Sequence, residues 1–191
     1  MAVSGSCIAV ISLESSFIGN KPKELWLYQD GMILKYKKED KEFMFADVWA
    51  LKTGDMFVPN LSSYSFEMFD GQNQKLAAFK ISYQNRQDAL RVLEYHKMYR
   101  LGEHFPMDLM ESEYVLDDHF TWEKGVLVYR SSKTTDRFQL NEIEDFVEKN
   151  GTYFFTLAGR KDKLVVFVLY APNCLLTIAV CKAIAAAARN L

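Results

Sequence analysis

Apolar and polar residues alternate in several short runs of this chain, which is the period of a half-buried β-strand. Phe43 and Phe45 alternate with more polar neighbours, and Phe138 and Leu140 do so in the second half of the chain. Further runs of the same kind predict strands over 64–68 and 153–157, and a strand is predicted after the turn that follows each of them, over 75–82 and 163–170. The pattern therefore predicts two sets of antiparallel strands, one in each half.

A hairpin is predicted near the beginning of each set of strands. Aromatic and aliphatic residues flank Asp30 and Gly31, and a similar run surrounds Lys124 and Gly125. Because an Asp-Gly pair suits a tight turn that needs a positive φ, each glycine is predicted to lie in the turn of its hairpin.

A helix is predicted at the end of each half. Asn85 is a candidate N-cap of the first helix, because its side-chain oxygen can accept a hydrogen bond from an unpaired amide of the first turn. Asn173 is the candidate cap of the second helix, which is apolar nearly all round. The predicted buried face of the first helix comprises Ala89, Val92, Leu93 and His96.

The strand predicted before the second helix, 164–170, is apolar on both faces. A sheet with one solvated face would alternate instead. We therefore expect the second half to be covered on two sides, either by the first half or by another subunit. Assembly into a homo-oligomer through the second domain is one consequence of this expectation.

The two halves resemble each other in the order of these features, which predicts an internal repeat. Each match falls on apolar or turn positions, and the spacing between matched positions changes only through small differences in loop length. The matched segments are 25–36 with 119–130, 43–48 with 138–143, 64–66 with 153–155, Leu76 and Phe79 with Leu164 and Phe167, and Asn85 with Asn173.

Each repeat thus contains a hairpin, two strands, a turn, a strand and a capped helix, with a polar-polar-Gly turn at Gly31 or Gly125. In this order the chain resembles the pleckstrin-homology-like (PH-like) superfold, particularly its bacterial PH-like and GRAM-like variants, over 6–102 and 107–191. The resemblance implies an α+β fold that is mainly β, with domains at 1–102 and 103–191. Each domain would be a bent antiparallel sheet or partly open barrel closed by its C-terminal helix.

Composition and charge narrow the classes of function. The chain has 191 residues, of which 49% are hydrophobic and 25% charged, as in a packed protein. Its 23 basic and 25 acidic residues give a net charge of −2, so we expect no nucleic-acid partner. The three cysteines form no CxxC pair, and no signal peptide or membrane span is predicted. We expect free thiols and a cytoplasmic location.

Basic residues form the strongest candidate binding site. In lipid-binding PH domains, basic residues on the first hairpin hold phosphates, and Lys and Arg suit this role because a phosphate needs several charge-assisted donors. The resemblance places Lys35, Lys37, Lys38, Lys41, Arg130, Lys133 and Arg137 in such positions. Nearby acidic residues offset much of this charge, and basic residues also protect strand edges. The Trp commonly found in the C-terminal helix of eukaryotic PH domains is absent here, which weighs against the lipid-binding branch.

Catalytic and metal-binding patterns are absent from the sequence. It contains no nucleophile elbow, P-loop or GxGxxG motif, and His96, His104 and His119 lack the spacing of metal ligands. The carboxylates of Asp117 and Asp118 are expected on solvated loops or strand edges. We therefore predict a non-catalytic protein without cofactor or metal that binds a protein or peptide partner. A peripheral module for anionic lipid headgroups and an enzyme with a site between the repeats are the alternatives.

Overall fold

The computed structural model describes residues 3–14, 21–53, 63–168 and 171–191. Its chain divides into two compact units, Met1–Arg100 and Leu101–Leu191, called here the first and second unit. Each unit contains a four-stranded sheet, then a three-stranded sheet, then a helix, and all strand pairs are antiparallel. The predicted fold class, α+β and mainly β, is confirmed. No sheet in the described ranges closes on itself as a barrel.

The first unit consists of two meanders and a helix. Its four-stranded sheet contains β1 (Ala9–Ser12), β2 (Glu24–Leu27), β3 (Gly31–Lys35) and β4 (Asp40–Met44) in that order. Its three-stranded sheet contains β5 (Ala50–Lys52), β6 (Ser63–Phe69) and β7 (Lys75–Ser82). A 3₁₀ turn, Tyr83–Asn85, leads directly into α1 (Arg86–Leu101).

The second unit repeats this order of elements. Its four-stranded sheet contains β8 (Glu113–Val115), β9 (Phe120–Glu123), β10 (Val126–Arg130) and β11 (Thr135–Gln139). A 3₁₀ turn, Leu140–Glu142, precedes the three-stranded sheet of β12 (Ile143–Lys149), β13 (Thr152–Leu157) and β14 (Lys163–Val166). The last element is α2 (Cys174–Ala188).

The core of the first unit lies between its sheets and α1. Leu25 and Leu34 face each other across β2 and β3 and are fully buried, and the Phe66 and Phe79 rings stack at 4.9 Å between centroids. The buried residues of α1 are Ala89, Val92, Leu93 and His96, as the periodicity predicted. Burial of this apolar face holds the helix on the sheets.

The two predicted helix caps have different outcomes. Asn173 caps α2, because its Oδ1 accepts hydrogen bonds from the Leu175 and Leu176 amides at 3.0 and 3.1 Å. The prediction for Asn85 is wrong, because the chain is already helical from Tyr83 and Asn85 lies inside the helical stretch.

The strand before α2 is shorter and less buried than predicted. Its regular part ends at Val166, and 169–170 lie outside the described residues. Val166 and Val168 are buried, whereas Val165 and Phe167 are 37% and 48% exposed. One face of this strand therefore packs on the core, and coverage of the face that carries Val165 and Phe167 stays a prediction.

The two matched glycines have different structural roles. Lys124 and Gly125 have φ values of 47° and 93° and form the two-residue turn between β9 and β10, as predicted. Gly31 is not among the glycines with positive φ, so the predicted reason for a glycine is wrong there. Gly31 is instead required by a close approach, because a Cβ atom would collide with the backbone carbonyl oxygen of Phe43.

Replacing Gly31 by Ala is therefore expected to lower the free energy of unfolding by about 2 kcal/mol, because a backbone atom of β4 must move. Gly71→Ala is the matched control, since a Cβ there meets no atom within 4 Å and should change stability by less than about 0.5 kcal/mol. Urea denaturation of both variants measures the difference. Equal stability of the two variants would contradict the close approach at Gly31.

Candidate functional site

The basic residues predicted in the first unit lie on the hairpin that joins β3 and β4. Lys35 ends β3, Lys41 lies in β4, and Lys37 and Lys38 are exposed in the turn between them. This hairpin is the third antiparallel strand pair of its sheet, because β1, which was not predicted, precedes β2. The role of these lysines as an anion site stays a prediction.

The four lysines of this hairpin differ in their contacts. Lys35 Nζ lies 2.6 Å from Asp40 Oδ2 and 4.3 Å from the centroid of the Trp26 ring. Lys41 Nζ lies over the Tyr36 ring at 5.6 Å. Lys37, Lys38 and Lys41 form no ion pair with any residue that the structure describes. Three of the four charges are thus unneutralised by a direct ion pair.

The corresponding hairpin of the second unit joins β10 and β11. Arg130 donates to Thr121 Oγ1 at 3.1 Å and to the Glu123 carboxylate, and Arg137 Nη2 lies 3.2 Å from Glu123 Oε2. The hydrogen bond from Arg130 is the main cause of a lowered pKa for Glu123. Lys133 lies in the turn between β10 and β11 and forms no ion pair in the described part of the chain. The structure therefore brings Arg130 and Arg137 together on one carboxylate.

An exposed apolar patch lies at the edge of the second three-stranded sheet. The His119 ring lies 6.2 Å from the Phe167 ring and 6.0 Å from the Tyr129 ring, and Val165 is exposed on β14, two residues before Phe167. We call His119, Tyr129, Val165 and Phe167 the β14 patch. Within the described residues β14 pairs only with β13, so its other edge is unpaired by any strand.

A buried carboxylate holds two members of this patch in place. Asp117 is 3% exposed, and its Oδ1 accepts hydrogen bonds from the amides of His119 and Phe120, each at 2.7 Å. Its Oδ2 accepts a third from the amide of Phe167, also at 2.7 Å. Asp117 therefore joins the loop before β9 to the end of β14. The expectation of a solvated carboxylate is wrong at this position.

A histidine and two cysteines are buried in the cores of the two units. His96 is fully buried and its Nε2 donates to the Val48 carbonyl at 2.9 Å, while burial lowers its pKa to about 4. Cys174 and Cys181 are buried and form no disulfide with the residues described, and burial raises the pKa of Cys181. Among the residues described, no group of three His, Cys, Asp or Glu side chains is placed to hold a metal ion.

One cleft of the first unit is large enough for a small molecule. Its volume is about 570 Å³, and both signs of charge line it through Glu14, Lys21, Glu67 and Lys80. Glu67 is already paired with Lys75. The cleft thus lacks a convergent set of groups of one chemical kind.

Neither helix in the described part of the chain combines the length and apolar character that crossing a membrane requires.

Comparisons with known proteins add little to this description. No protein-family model matches the chain, and no curated protein matches it significantly. One similar solved structure is the Spt16D Pob3N heterodimer, with 11% sequence identity over 85% of this chain and 95% of that chain, and a TM-score of 0.36. A TM-score this low does not define a shared fold, so the assignment to the α+β class rests on the sheets and helices themselves.

Proposed function

We propose that this chain is a tandem of two PH-like domains, 1–102 and 103–191, which acts as a non-catalytic binding or scaffolding protein in the cytoplasm. The common order of a four-stranded sheet, a three-stranded sheet and a helix in both units supports the tandem. Small β-domains of this kind offer a rigid core, variable loops and exposed strand edges for recognition. The partner is a protein or peptide.

The observation that carries this proposal is the β14 patch. An unpaired strand edge offers backbone donors and acceptors to an incoming extended peptide. Val165 and Phe167 add apolar surface beside that edge, and aromatic residues contribute strongly to protein interfaces. The occupant that fits these features is an extended segment with apolar side chains at alternate positions. A second copy of this chain is the competing occupant.

Peptides selected on the full chain by phage display, then measured by fluorescence anisotropy, test the proposal. Phe167→Lys is expected to weaken binding at least about tenfold, because it removes an exposed aromatic anchor and charges the edge. Val10→Lys is the matched control, since Val10 is also exposed and apolar but lies on β1. Equal affinity of the two variants would refute the β14 patch as the site. Light scattering distinguishes a peptide from self-association.

The hairpin of β3 and β4 favours a second function, recruitment to an anionic membrane. Lys37 and Lys38 are exposed at its turn and, like Lys41, form no ion pair with the residues described. Basic side chains near an anionic surface each add to membrane affinity. Co-sedimentation with vesicles tests this function, which requires salt-sensitive enrichment on anionic vesicles only.

A further inference from the structure

The sheet register places a carboxylate and two arginines on one surface of the second unit. Thr121 and Glu123 lie two positions apart and therefore share one face of β9. Val128 of β10 pairs with Thr121 on one side and with Arg137 of β11 on the other, so Arg137 shares this face. Arg130 follows Val128 by two positions on β10 and therefore shares this face. The arrangement is thus determined by the strands and not by loops.

The Glu123 carboxylate occupies both arginines in the way that an external anion would. Each of its oxygens receives a guanidinium group, Oε1 from Arg130 and Oε2 from Arg137. A phosphate or carboxylate ligand would use the same donors, because these anions are bound through charge-assisted N–H bonds. Glu123 belongs to the same sheet, so its effective concentration at the arginines exceeds that of a ligand in solution.

In the hairpin of β3 and β4, one carboxylate pairs with one of the four lysines among the residues described. Asp40 neutralises Lys35, but no acidic side chain in the described ranges pairs with Lys37, Lys38 or Lys41. The two hairpins thus carry similar numbers of basic residues and differ in how many of these residues form ion pairs within the described ranges.

We propose that Glu123 is a specificity-determining residue that keeps Arg130 and Arg137 from binding anions and so confines anionic-membrane binding to the hairpin of β3 and β4. This inference rests on the second function proposed above. The shared ligand chemistry is the phosphate group, and the source to which we commit is the headgroup layer of an anionic membrane.

Vesicle co-sedimentation of the full chain tests the inference, with phosphatidylcholine vesicles and with vesicles that also contain phosphatidylserine. Glu123→Gln is expected to increase the partition coefficient on anionic vesicles by about fivefold or more, since it frees two basic side chains. Glu144→Gln is the matched control, because Glu144 is exposed on β12 and pairs with no basic side chain in the described ranges, so its removal changes the net charge equally without freeing the arginines. The double charge reversal K37E/K38E removes the positive charge from the turn of the hairpin of β3 and β4.

The four proteins separate the two proposals. Both proposals are supported if the wild type binds anionic vesicles, K37E/K38E does not, and binding increases in E123Q but not in the control variant. An equal gain in E123Q and E144Q overturns the role of Glu123 and leaves the membrane function intact. Binding by E123Q without binding by the wild type overturns the membrane function and supports the role of Glu123. Inorganic phosphate, titrated by calorimetry, reports the other source, and phosphate binding without vesicle binding overturns the assignment to a membrane.

Discussion

Replacing Asp117 by Ala is expected to lower the free energy of unfolding of the second unit by about 3 kcal/mol or more. The carboxylate accepts three backbone hydrogen bonds at 2.7 Å and is almost completely buried. Without it, the amides of His119, Phe120 and Phe167 lose their acceptor, and a buried amide without a partner costs the full desolvation penalty. Urea denaturation measures the loss, and hydrogen exchange at these amides locates it.

Asp118→Ala is the matched control for this substitution. Asp118 is the adjacent carboxylate but is exposed, so its removal should change stability by less than about 0.5 kcal/mol. Asp117→Asn keeps the shape of the side chain and removes part of its hydrogen bonding. The Asn oxygen can still accept from the amides on one side, but its NH₂ group would face an N–H donor on the other side and cannot accept from it. A stability of Asp117→Ala equal to that of Asp118→Ala would contradict the three hydrogen bonds.

The two units use different contacts to connect the loop after their first strand to the last strand before the helix. In the first unit the Glu14 amide donates to the Lys80 carbonyl of β7 at 2.9 Å, which is a backbone contact between the two sheets. In the second unit the side chain of Asp117 makes the connection to Phe167. Thr177 of α2 also donates to the Leu116 carbonyl at 2.8 Å, so the helix is tied to the same loop. Leu116 and Asp117 together therefore connect α2 and the end of β14 to the loop before β9.

The strands and helices could largely be predicted from the sequence because their periodicity reflects burial on one face. Strands rich in aromatic residues, such as β6 and β13, give a clear period of two. The cap at Asn173 was predictable because capping depends on local backbone geometry. β1 and β8 were not recognised, because three or four residues hold too little of the period to distinguish a strand from a loop.

The contacts of the candidate sites depended on information that the sequence does not contain. The charges near Lys41 and Arg130 were visible, but which of them pair depends on strand register. Asp117 had one local signal, since an Asp often accepts hydrogen bonds from amides two and three residues later. Its third bond comes from Phe167, fifty residues away, and burial follows from that tertiary contact.

Lowering the pH from 6.5 to 4 is expected to reduce the stability of the first unit by about 3 kcal/mol through His96 alone. Burial lowers the pKa of His96 from 6.5 to about 4, with a smaller contribution from Arg100, while the hydrogen bond to Val48 opposes the shift. Between these two pH values the unfolded chain binds a proton that the folded chain excludes. Stability from this residue is therefore complete above pH 6.5 and is lost as the pH falls towards 4.

The variant His96→Gln tests this expectation, because Gln does not titrate and its NH₂ group can still donate to the Val48 carbonyl. Urea denaturation at several pH values measures the stability of both proteins. Between pH 6.5 and 4 the wild type should lose about 3 kcal/mol more than the variant. His104→Gln, at an exposed position, controls for the substitution itself. Because the Phe45 ring packs edge-on against His96 at 5.5 Å, the variant should also lose stability at pH 7. Parallel stability curves for His96→Gln and the wild type would show that His96 takes up a proton as readily in the folded chain as in the unfolded one.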